Sequence, residues 1–311
     1  MAAREHFLDP SKIHQKWDNA LSPVLSIESG DIVHFETKDV SNGQVTPGCD
    51  AGIILNIDRN NFYPLAGPIE IKGAKSGDVL QVDIMDLRTK GWGWTGIFPG
   101  GGLLPDDFPD PYIKHWDLLD GETAELKPGI IIPLDPFCGI MGVAPKESGE
   151  FHIRPPGSFG GNMDTRHLTK GNTLFLPVQV DGAMFSAGDC HAAQGDGEVC
   201  INGIESPMRF TLRFTVRKDL QLDEPQFICN GPIYRKVDTK GYYCTMGVGP
   251  DLYTNAQKAI RYMIKHLVDQ YGLTREEAYI LCSVAVDLKI SEIVNRPNWV
   301  VSAYLPLSIF V

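Results

Sequence analysis

The sequence predicts a mainly β protein, an antiparallel β-sandwich body over residues 1–230 carrying a C-terminal α/β extension over 231–311. Three observations lead there. The 32 glycines and 22 prolines show no collagen-like period, so they read as punctuation between many short strands. Apolar residues recur every second position through the first two thirds of the chain. In the last quarter the period changes to that of a helix.

The elements follow in order. Leu80, Val82 and Ile84 alternate with Gln81 and Asp83, the pattern of a strand with one face on a core. Leu174, Leu176, Val178 and Val180 form a second such face, and Pro177 points to an edge position. Phe210, Leu212, Phe214 and Val216 form a third, with polar residues at the odd positions from Arg209 to Arg217. Gly-Asp pairs at 30–31, 77–78 and 188–189 stand as turns ahead of strands. Ala256, Ala259, Ile260, Met263, Ile264, Leu267, Val268 and Tyr271 make one helical stripe that stops at Gly272. Thr274 and Glu277 are spaced as a capping box opening a second helix through Ala278, Ile280, Leu281, Ala285 and Val286. Trp299–Leu305 closes the chain as a strand.

Composition excludes several functions. With 28 Lys and Arg against 39 Asp and Glu, the net charge is −11, and no basic stripe offers a surface to a nucleic-acid backbone. No apolar run is long enough for a membrane helix. The first dozen residues carry Arg4, Glu5 and Asp9 without the apolar stretch of a secretory signal. Seven cysteines form no CxxC, and Cys138 and Cys282 lie in apolar stretches where a free thiol packs as a small hydrophobe. A reducing cytoplasm is the expected compartment.

Chemistry concentrates in three stretches. Gly188–Glu198 holds three carboxylates, one imidazole, one thiol and three glycines. In an extended backbone Asp189 and His191 share a face and Cys190 takes the other; the pair is a metal chelate or part of a polar hairpin turning at Asp196-Gly197. Pro155–Asp164 ends in Asn162 and Asp164, either oxygen ligands or a self-capped turn. Trp92–Gly102 alternates aromatics and glycines, which suits a pocket wall or a loop over a sheet edge. There is no G-x-S-x-G elbow, no H-E-x-x-H and no P-loop.

Taken in order, six segments resemble the acetamidase/formamidase family: Gly67–Asp78, Trp94–Phe98, Pro136–Pro145, Gly160–Asp164, Gly188–Glu198 and Cys282–Leu288. The resemblance implies a β-sandwich with a C-terminal α/β extension, hydrolysis of short aliphatic amides such as formamide or acetamide, association with a divalent metal, and a homodimer. Amide hydrolysis needs an activated water, a polarised carbonyl and a proton shuttle, and a metal supplies the first two. Asp189 and His191 are the first-choice ligands, with Asp164 joining them. Mixed His and carboxylate ligation favours Zn²⁺, and an all-oxygen set would suit Ca²⁺. Glu198 is the expected proton shuttle and Glu150 the reserve. His191 belongs to the catalytic set as well as to the ligands. Asn162, Trp94 and Tyr63 are the expected substrate contacts; many members of the family carry His or Asn where Tyr63 stands. The motifs contain no cationic cluster, so a small neutral amide is the expected substrate. Two other functions are open: a thiol amidase in which Cys190 attacks, and a non-catalytic β-sandwich that binds Ca²⁺ or a small ligand.

Overall fold

The computed structural model describes residues 3–233 and 236–311, so residues 234–235 of the expected extension lie outside the described residues. Two six-stranded sheets face each other. The first runs Glu5–Phe7, Ile32–Thr37, Met208–Arg217, Val79–Thr89, Thr173–Pro177 and Gln226–Ile228 in spatial order. The second runs Gly160–Asn162, Phe137–Gly142, Phe185–His191, Leu65–Ile71 and Ile13–His14, with Leu25–Ile27 also paired to Leu65–Ile71. Between them lies a core in which Leu80, Val82, Phe210, Leu212 and Phe214 meet Ile69, Met141, Phe185 and Cys190. The alternating residues of the sequence therefore do what period-two strands do in a sandwich: every second side chain leaves water for the facing sheet.

Two details differ from the sequence reading. The strand through Leu174 stops at Pro177, so Val178 and Val180 lie beyond it. It is not an edge strand either. Gln226–Ile228 covers Thr173–Phe175, and Pro177 sits past the end of that cover, where its missing N–H costs no ladder bond. The Gly-Asp pairs also divide. Gly30 and Gly77 turn with φ of 98° and 93° just before strands, but Gly188-Asp189 lies inside Phe185–His191, and there Asp189 takes the positive φ (51°).

At the C-terminus the helix Leu252–Tyr271 opens on an Asp251 cap and ends at Gly272 in the left-handed conformation. Helix Arg275–Ala285 carries the complete Thr274/Glu277 capping box. Both pack beneath the three-stranded sheet of Tyr242–Gly249, Trp299–Pro306 and Asp287–Glu292. Their apolar faces (Ile260, Met263, Leu267, Ile280, Leu281) share one core with Leu104, Trp116, Ala192, Val199 and Ile204. This brings the joint between helix and strand at Ala285–Asp287 against the loop that follows His191.

Candidate active site

The strand Phe185–His191 sorts its side chains by alternation. Cys190 points into the sandwich core, its Sγ 3.6 Å from Cys138 Sγ. Asp189 and His191 emerge on the opposite face, with Oδ1 and Nε2 3.4 Å apart. The His191 ring lies edge-on to Phe137 and has room only because Gly203 is beside it: a Cβ there would stand 2.9 Å from the ring. Gly139 leaves space in the same way, since its Cβ would collide with Asp164 Oδ1 and lie 2.9 Å from the Asp189 carbonyl oxygen.

Other segments add acids around this face. Asp164 follows the short strand Gly160–Asn162, and its N–H donates to the Gly139 carbonyl. Glu205 is held by a bridge to Trp94, N–H to carbonyl in both directions, and its Oε1 lies 3.0 Å from His191 Nε2. Glu198 is reached through a tight loop: its N–H donates to the Gly195 carbonyl, and Gly195 donates to Ser283 at the end of the second helix. Its Oε1 is 3.9 Å from His191 Nε2.

Gln194 decides the state of the imidazole. Its amide nitrogen donates to the Asp164 carbonyl, which leaves its oxygen to accept from His191 Nδ1–H at 2.8 Å. With Nδ1 fixed as the donor to Gln194, Nε2 is the nitrogen that faces the carboxylates, and there a metal would take the place of a proton. Asp164 Oδ1, Asp189 Oδ1, Glu205 Oε2 and His191 Nε2 are buried without a hydrogen bond, and so is Asn162 Oδ1. Two triads, Asp164/Asp189/His191 and His191/Glu198/Glu205, each bring one ligand atom per residue within 4.8 Å of the others. Buried ligand atoms left unmatched in this way, facing one another, suit a cation better than they suit each other.

The electrostatics agree. Burial pushes the Asp164 carboxyl up to about 7, and the nearby Asp189 charge adds to the effect. Burial, and next the neighbouring Asp164 charge, raise Glu198 well above the ordinary range. Glu205 is pushed up to about 8, again chiefly by burial. For His191 burial alone would lower the value, but Glu205 and Asp189 outweigh it and raise the net. The backbone is strained at the same place. Eight non-glycine residues among the described ones have positive φ, and five of them (Tyr63, Asp164, Asp189, Glu198, Ile201) line the one cavity of about 380 Å³ above the cluster. Strain gathered at one pocket marks a functional site.

The fold thus brings Asp164, Asp189, His191, Glu198, Asn162 and Tyr63 together around the cavity. It does not bring the rest. Glu150 is exposed and paired with Lys16, outside this cavity. Trp94 is fully buried behind it, its Nε1–H donating to Asp39, and supports Glu205 through the backbone; Phe62 and Phe98 wall the entrance instead. Cys190 cannot attack with His191 as base, because the two side chains lie on opposite faces of one strand. Glu205 and Asn202 are members that the sequence reading passed over. A lone acid in Gly203-Ile204-Glu205-Ser206-Pro207-Met208 is the signal that marks a buried carboxylate.

A family model described as the Acetamidase/Formamidase family matches residues 3–150 and 146–311. The chain belongs to the acetamidase/formamidase family. A formamidase of Methylophilus methylotrophus is 28% identical over 96% of this chain and 89% of its own. An acetamidase of Bacillus halodurans is 33% identical, with a TM-score of 0.69 over 97% of this chain and 98% of that one. A γ-lactamase from Delftia acidovorans superposes with a TM-score of 0.90 at 25% identity, over 99% of this chain and 93% of that one. The chain is accordingly a hydrolase of amide C–N bonds. Among the described residues no helix is long and apolar enough to cross a membrane.

Proposed function

We propose that the chain hydrolyses short aliphatic amides to a carboxylate and ammonia at the His191 cluster, with a divalent cation. The observation that carries this is the set of unpartnered ligand atoms on Asp164, Asp189, His191 and Glu205. In the Asp164/Asp189/His191 triad, one imidazole and two carboxylates make a zinc-type donor set that leaves a fourth position open. When bound, such a cation acidifies water and polarises the amide carbonyl.

The chain's own groups supply the rest. Glu198, raised in pKa and facing the cavity, takes the proton of the attacking water as the C–O bond forms, then gives it to the departing nitrogen as the C–N bond breaks. Asn162 presents its free amide oxygen to the substrate NH₂ group. Gln194 keeps His191 Nε2 turned inward throughout. Tyr63 and Phe62 exclude water from the mouth.

The test is ammonia release from formamide, acetamide and propionamide, with and without chelator. Turnover that disappears with chelator and returns with added Zn²⁺ supports the reading, whereas full turnover in metal-free protein overturns it. The γ-lactamase likeness, at a TM-score of 0.90, favours cyclic amides as a second reading, and γ-butyrolactam belongs in the same assay.

A further inference from the structure

The cavity above the acids continues into an outer compartment of about 210 Å³, and Phe62, Tyr63, Arg154, Ile201 and Asn202 line both. The two halves have opposite charge. The inner one holds Asp164, Asp189, Glu198 and Glu205. The outer one is lined by Arg59, His152 and Arg154 and by no carboxylate. In a chain of net charge −11 that is an unusual surface. Among the described residues, six other arginines are matched with a carboxylate, among them Arg166 with Asp287, Arg213 with Asp83 and Arg261 with Asp107, whereas Arg4, Arg275 and Arg296 have none but lie away from this compartment. Among the described residues, Arg59 and Arg154 have no such carboxylate. The Arg154 backbone N–H is tied to His152 Nδ1 at 3.0 Å, and its guanidinium reaches the Tyr63 side chain at the boundary between the halves.

We propose that the preferred substrates are monoamides of short dicarboxylic acids, with the amide on the inner acids and the terminal carboxylate held by Arg154 and Arg59. This rests on the amidohydrolase reading above and replaces the neutral substrate expected from the motifs alone. The charge pattern sets direction: the inner acids repel a carboxylate and the outer guanidinium groups receive it, so the amide end enters first. A guanidinium offers a carboxylate two parallel N–H donors. Phe62 and Phe98 flank the outer compartment and cover the methylene chain between the two ends. Formamide and acetamide leave that compartment unused.

The experiment compares three substrates with the cation-loaded enzyme: acetamide, succinamate, and 4-methylpentanamide, in which an isopropyl group replaces the carboxylate of succinamate. Succinamate should be favoured over 4-methylpentanamide by about tenfold or more in kcat/KM, the range a charge-assisted hydrogen bond supplies. The ratio should fall toward one in Arg154→Gln, fall less in Arg59→Gln, and shrink as salt is raised. Acetamide turnover with no succinamate preference would overturn this inference and leave the amidohydrolase standing. Arg154→Gln slowing both longer substrates equally would make it a support for Tyr63 and would also overturn it. No ammonia from any of the three would overturn the amidohydrolase reading and this inference with it.

Discussion

Gly139→Ala adds one methyl group at the floor of the site and nothing else. Gly139 lies on the strand Phe137–Gly142, paired on one side with Phe185–His191. Its backbone φ is not in the left-handed region, so alanine meets no conformational penalty there. The new Cβ would collide with Asp164 Oδ1, stand 2.9 Å from the Asp189 carbonyl oxygen and 3.3 Å from His191 Cε1. The strand must give by a few tenths of an ångström at the Asp189 carbonyl, and the Asp164 carboxylate must retreat by about 1 Å to recover an ordinary contact. A displacement of that size in a reacting constellation costs ~10²-fold in rate. Overpacking should cost ~1–3 kcal/mol of stability as well, which a folded domain of this size tolerates. The assay is kcat/KM for acetamide together with bound Zn²⁺ per chain, on protein shown to be folded by its thermal transition. We expect a loss of about a hundredfold with reduced Zn²⁺ retention. A folded Gly139→Ala enzyme with wild-type kcat/KM would refute the placement of Asp164 at the reacting centre.

Three further outcomes are expected. Glu198→Gln keeps the shape and removes the titration, so kcat should fall ~10²–10⁴-fold while metal content, read by elemental analysis, stays near wild type. Gln194→Met removes the acceptor that holds His191 Nδ1–H, and Zn²⁺ affinity by competition with a chelating dye should weaken ~10–100-fold. Metal-free protein should lose thermal stability relative to Zn²⁺-loaded protein as pH rises from about 4 to about 8. Asp164, Glu198, Glu205 and His191 all have raised values in the fold, so these four bind more protons folded than unfolded in that window and contribute a negative slope, opposed by His14, His167 and His266, which burial lowers. Zn²⁺-loaded and metal-free protein whose transition temperatures run parallel across that range would contradict the buried acids.

What was legible in the sequence is what repeats locally. Phe210, Leu212 and Phe214 declare their strand because burial on one face of a sheet selects every second residue, and the packed core keeps that selection. The Thr274/Glu277 capping box and the Gly272 stop are equally local, each satisfied within a few residues of backbone. The facing of Asp189 and His191 is local in the same sense, since two residues on one strand share a side, and the positive φ at Asp189 does not undo it.

The rest of the site depends on contacts between distant segments. Glu205 is positioned by its bridge to Trp94, more than a hundred residues earlier, so nothing near Glu205 announces a partner. Trp94 looked like a pocket wall because aromatics among glycines suggest one; the fold instead spends its ring on Asp39 and its backbone on Glu205. Glu150 looked available because it follows a glycine near a proline run, and Lys16 occupies it. The charge of the outer compartment was hidden for the same reason. Arg59 stands by a short 3₁₀ turn and Arg154 in an irregular segment, nearly a hundred residues apart, and neither falls in a motif. Phe62 and Tyr63 bring the two segments to one surface, so a reading confined to motifs finds the acids proposed for the chemistry and misses the cations proposed to select the substrate.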